Sequence, residues 1–83
     1  MKSGINKLDK VLTISITKDK VKVTNGGEIL LVTNNNINAY VKLYQALEGQ
    51  EADIYILEHW GKKIGSSVDK NSFLSILRRW FEN

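Results

Sequence analysis

Apolar and polar positions alternate with a period of two along the first third of the chain. Leu12, Ile14 and Ile16 alternate with Thr13, Ser15 and Thr17, and Val21 and Val23 alternate with Lys20, Lys22 and Thr24. Side chains two apart share one face of a strand, so each run predicts a half-buried β-strand. A two-residue turn at Lys18 and Asp19 sets Ile16 opposite Val21 and Ile14 opposite Val23. All four then face one core, and a slip of one residue would turn them all outward. Asn25-Gly26-Gly27 is a second turn signal, because Asn and Gly accept the positive φ of tight hairpins. It leads into residues 28–33, a third strand apolar on both faces. Two registers fit that strand: a Gly26-Gly27 loop pairs Val23 with Leu30, and a three-residue loop pairs Val23 with Ile29.

Beyond residue 33 the period changes. Three asparagines at 34–36 break the strand and offer capping oxygens. Ile37, Tyr40, Val41, Tyr44 and Leu47 recur at helical spacing, with Asn38, Lys42 and Gln45 on the outer face and Gly49 at the expected stop. Residues 53–60 form the densest apolar run. Ile54 and Ile56 point one way on a strand, and Tyr55 and Leu57 the other. Glu51, Asp53 and the Glu58–Lys62 spacing would also suit a helix, and a helix here would open a helix-turn-helix pairing around Gly49. The β-branched and aromatic content and the bracketing glycines at 49 and 61 favour the strand. A strand apolar on both faces belongs inside a sheet covered on both sides.

Gly61-Lys62 reads as a tight turn that returns residues 63–67 as a short fifth strand. Asp69 reads as the N-cap of a closing helix, with Val68 and Phe73 spaced for a hydrophobic staple. Phe73, Leu74, Ile76, Leu77, Trp80 and Phe81 then fall on one core-facing side of that helix, which makes it a main fastener of the fold. The expected architecture is one α+β domain over residues 1–83. It has a mainly antiparallel sheet of four to five strands and two amphipathic helices, in the order β-β-β-α-β-(β)-α. Residues 1–10 are expected to be a loose arm or a short turn of helix, with Ile5 and Leu8 able to dock.

Composition narrows the chemistry. The 83 residues are 42% hydrophobic and 25% charged, which suits one folded domain and not a disordered tail. With no cysteine, disulfides, thiolate metal sites and cysteine nucleophiles are excluded. His59 is the only histidine, and on a strand its neighbour Glu58 points to the opposite face, so general-base and serine-nucleophile arrangements lack partners. No carboxylate spacing matches an EF-hand. Gly61-Lys-Lys-Ile-Gly-Ser-Ser67 lacks the order of a phosphate loop and is better read as hairpin geometry. The expectation is therefore no enzyme activity, no cofactor and no metal. No secretory or membrane-spanning segment is read, so a cytoplasmic protein is expected. Ten lysines to two arginines, with eight asparagines and nine isoleucines, suggest an AT-rich coding sequence of the kind found in low-GC bacteria, phages and plasmids.

The net charge of +3 is unevenly spread: residues 1–27 carry +4, residues 28–60 carry −4 and residues 61–83 carry +3. Such segregation can steer a partner. Lys18, Lys20 and Lys22 fall on the solvent side of the first hairpin. Trp60, Lys62 and Lys63 make an aromatic-basic knuckle at one end of the sheet, and Arg78 and Arg79 flank the polar face of the last helix. The favoured expectation is a non-enzymatic interaction protein that binds another protein. A regulator or inhibitor from a phage or other mobile element is the type in view, with a homodimer as one way to cover the doubly apolar strands. The alternative is a nucleic-acid-binding protein using the lysine hairpin and the Trp60–Lys63 loop.

Overall fold

The computed structural model describes residues 10–82, and the expectation for the N-terminal arm lies outside them. Five strands and two helices follow in the order β1 (Val11–Ile16), β2 (Lys20–Asn25), β3 (Glu28–Asn34), α1 (Ala39–Glu48), β4 (Ile54–His59), β5 (Lys62–Ser67) and α2 (Lys70–Glu82). They form one mixed sheet with strand order β3-β2-β1-β4-β5. The β1–β4 pair is parallel, because α1 carries the chain back across the sheet between β3 and β4; the other three pairs are antiparallel.

The first hairpin has the expected register, with Ile16 opposite Val21 and Ile14 opposite Val23. Thr17 donates its N–H to the Lys20 carbonyl at 2.9 Å and closes the turn over Lys18 and Asp19. The second hairpin turns at Gly26 and Gly27, with φ of 62° and 90°. Its register fits neither expectation. Asn25 pairs with Glu28 and Thr24 with Ile29, but Val23 pairs with Leu31, so Leu30 is an extra residue in a bulge. The bulge lets two adjacent leucines, Leu30 and Leu31, both pack against the core.

Within the run 53–60, Ile54–His59 is a strand, as the β-branched pattern requires. Tyr55 and Leu57 are buried beneath the helices beside Leu12 and Ile14, while Ile54 and Ile56 on the other face are half-buried. Covering on both sides is not found: among the described residues both helices pack on one face of the sheet, and the second face carries Thr13, Ser15, Lys22, Ile54 and Ile56 without a layer above it. The turn after β4 falls one residue earlier than expected, at Trp60 and Gly61, with φ of 57° and 80°.

α2 anchors the core as its apolar face predicts. Phe73 and Leu77 are fully buried, and Leu74, Ile76, Trp80 and Phe81 pack around them. Phe73 stacks on Tyr55 with ring centroids 5.5 Å apart, joining the helix to the middle of the sheet. Asp69 caps the helix, its carboxylate accepting from the Ser72 N–H at 2.9 Å. The staple does not form: Val68 is exposed, because Phe73 turns toward Tyr55 and away from the chain entering the helix.

Candidate functional site

α1 departs most from expectation. Its buried residues are Ala39, Leu43 and Leu47, a row four residues apart. The stripe of Ile37, Tyr40, Val41 and Tyr44 lies roughly a quarter-turn or more away around the helix, at ~100° per residue. Ile37, Val41 and Tyr44 are 90%, 53% and 41% exposed. Of the expected core stripe Leu47 is buried and Tyr40 half-buried, while Asn38, Lys42 and Gln45 are exposed as expected, Lys42 donating to the Thr33 hydroxyl at 3.4 Å. The physical reason lies in the layer below. β3 is an edge strand, and α1 crosses from it toward β4 as a small Ala39 and two leucines nestle over the sheet. Tyr40 packs half-buried at the rim of that core, and Val41 and Tyr44 are left pointing away.

The asparagine run does not cap α1 through its side chains. Asn38 occupies the cap position with no side-chain capping bond. Instead the Asn36 side-chain oxygen accepts from the Asn38 N–H, and Asn35 donates through Nδ2 to the Thr17 carbonyl at 2.8 Å. That second bond ties the start of α1 to the β1–β2 turn.

The exposed stripe continues onto α2. Tyr40 lies 6.4 Å from Tyr44 and 5.9 Å from Phe81, centroid to centroid. A groove of about 220 Å³ between the two helices is lined by Ile37, Tyr40, Arg78, Phe81 and Glu82. Arg78 donates through Nε to Glu82 at 2.9 Å. That hydrogen bond, with the attraction of the Glu82 charge, raises the Arg78 pKa further above its already high ordinary value, so the guanidinium stays charged at working pH.

The sheet register gathers the nominated basic residues at one end. Ile16, Val21, His59 and Lys62 stand abreast where β1 and β4 finish and β2 and β5 begin. Lys18 sits in the turn above Ile16, and Lys20 pairs with Asn34 and donates to its side-chain oxygen at 3.0 Å. Lys22 and Lys63 lie on the uncovered face, in line with Ser15 and Glu58. α2 rises from the opposite end, where Lys70 pairs with Glu51 at 3.2 Å, and brings Trp80 to 4.8 Å from His59. Arg78 and Arg79 therefore reach this end as well. Asp19, Glu58 and Glu82 are its acidic groups. Glu28, Glu48, Glu51, Asp53 and Asp69 lie toward the other end. Among the described residues the charge is therefore mostly basic at one end of the sheet and mostly acidic at the other, where Lys10 and Lys70 are the cations.

Trp60 is 62% exposed at the tip of the β4–β5 hairpin, and its ring meets His59 edge-on at 6.2 Å. A cleft of about 310 Å³ beside that hairpin is lined by Leu57, Ile64, Gly65, Ile76, Arg79 and Trp80. It exists because a bulge in β5 displaces Ile64 outward, and because Gly65 lets α2 close in: a Cβ there would stand 3.1 Å from Ile76 Cγ2. Sequence periodicity missed both this cleft and the α1–α2 groove, since each depends on how two elements are rotated against one another. Among the described residues no three His, Asp or Glu side chains gather as a metal site, and no helix is long and apolar enough to cross a membrane. No family model, curated protein or solved structure matches the chain.

Proposed function

We propose that the protein is a non-enzymatic interaction protein that docks a protein partner on the outer face of α1. The observation that carries this reading is the second apolar face of that helix. Val41 and Tyr44, with Ile37 in the turn just ahead of the helix, stand in solvent, although Ala39, Leu43 and Leu47 already supply its core contact. A single exposed apolar residue needs no explanation, but a stripe at i, i+4 and i+7 joined to Tyr40 and Phe81 is a contiguous patch of the kind that marks an interface. The groove between antiparallel helices suits an amphipathic helix of the partner, with one apolar side chain entering beside Tyr40 and Phe81. The sheet edges are the weaker candidates. Both edge strands carry a bulge, and β5 also carries Lys62 and Lys63, features that blunt strand addition. A regulator or inhibitor that acts by occluding a surface of its target is consistent with this arrangement.

A photo-crosslinking residue placed at Val41 or Tyr44 in the full chain tests the proposal in cells. One discrete adduct of the same mass is expected from both positions, and none from Glu28 at the far end of the sheet. Equal labelling from all three positions, or none from α1, contradicts the reading. An adduct of twice the protein's own mass identifies the partner as a second copy.

A further inference from the structure

We infer that the end of the sheet built from the β1–β2 and β4–β5 turns is a binding site for single-stranded nucleic acid, separate from the α1 face. Trp60 shares that end with Lys18 and Lys20 of the first hairpin, Lys62 and Lys63 of β5, and Arg79 beside the adjoining cleft, with Asp19 and Glu58 as its acidic groups. The backbone makes this tryptophan informative. Its φ of 57° lies in the left-handed region, and Gly61 after it has φ of 80°. This is the two-residue hairpin geometry for which Asn-Gly is the favoured pair and a bulky side chain is a poor choice. Packing does not account for the residue either, because Trp60 is 62% exposed and its ring meets His59 only edge-on. A flat aromatic held outward at a strained position, at the same end of the sheet as several cations, has the two parts that single-strand binding requires. The indole is a surface on which an unpaired base stacks, and the lysines meet the phosphates on either side.

The same basic end could attract an acidic protein or an anionic membrane. An acidic polypeptide offers charge but no planar group for the indole. A membrane anchor wants several apolar side chains beside the tryptophan, whereas the adjoining turns here are Thr17, Lys18, Asp19, Asn34 and Asn35. Duplex DNA presents phosphates, but its bases are already stacked on one another. Single strands satisfy both halves of the site.

The test is fluorescence anisotropy of a short labelled oligothymidylate titrated with the full chain across about 50 to 200 mM salt, alongside the matching duplex. If the five cations each neutralise one phosphate, log K should fall with log salt at a slope near −3.5, from about 0.7 per phosphate on a single strand. Trp60→Asn removes the indole and keeps a residue suited to positive φ. It should weaken binding by roughly 5- to 150-fold, the equivalent of the ~1–3 kcal/mol of one stacked base. Lys62→Gln with Lys63→Gln should flatten the slope by about 1.4. Retained circular dichroism and Trp80 emission show that each variant is folded. The proposal is overturned if the oligonucleotide fails to bind at the lowest salt, if the duplex binds as tightly, or if Trp60→Asn leaves affinity unchanged. Displacement of the strand by polyglutamate or anionic vesicles at equal charge would also overturn it.

Discussion

Replacing Phe73 with alanine tests the joint on which the two layers depend. Phe73 is fully buried and stacks on Tyr55, whose hydroxyl in turn accepts from the Ala52 N–H at 3.2 Å just ahead of β4. Truncating a buried phenylalanine costs about 3–5 kcal/mol, part from lost transfer of apolar surface and part from the cavity left behind. A domain of this size has a total stability of about 4–12 kcal/mol at ~0.05–0.15 kcal/mol per residue. The substitution should therefore remove about a quarter or more of it and lower Tm by at least about 12 °C, at ~4–8 °C per kcal/mol. Phe73→Leu keeps most of the volume and should cost less than about 1.5 kcal/mol. Urea unfolding followed by circular dichroism reads both, with an unchanged m value showing that only stability has moved. A loss below about 1 kcal/mol for Phe73→Ala would mean that α2 does not rest on the centre of the sheet.

Two other substitutions probe local geometry. Asp69→Ala removes the acceptor for the Ser72 N–H and hydroxyl and should cost about 0.5–2 kcal/mol by denaturation, whereas Asp69→Ser should recover most of that. Gly61→Val forces a β-branched residue to φ of 80° and should destabilise by at least about 1 kcal/mol, although a Cβ there meets no atom within 4 Å.

The strands were legible because each was pinned by a face that had to be buried. Alternation placed Ile14, Ile16, Val21 and Val23 correctly, and β-branching identified the strand within 53–60, which spans Ile54–His59. Turn chemistry located Gly26 and Gly27 but not the bulge at Leu30, which follows from the need to bury two consecutive leucines under one helix. The apolar stripe of α1 misled for a definite reason. Helical spacing identifies a face that avoids water, and it does not distinguish burial within the chain from burial against another molecule. Ala39 and Leu43 gave too weak a signal to compete with Ile37, Tyr40, Val41 and Tyr44. Trp80 is only half-buried beside a cleft, so Trp80→Ala should cost less than the severe loss its place in the pattern suggests, while Leu77 keeps its expected weight. For the basic end, the sequence named the residues, and the parallel β1–β4 pairing brought Lys18 and Trp60 to the same end of the sheet.

The account rests on α1 having one face for its own core and another for a partner. Paired denaturation of Val41→Asp and Leu43→Asp reads that division directly. Val41→Asp should fold with a stability within about 0.5 kcal/mol of the parent, as an exposed position allows, and Leu43→Asp should not fold, because it leaves a carboxylate in the core without a partner. Collapse of Val41→Asp together with tolerance of Leu43→Asp would put the tyrosine stripe inside the molecule and remove the proposed interface.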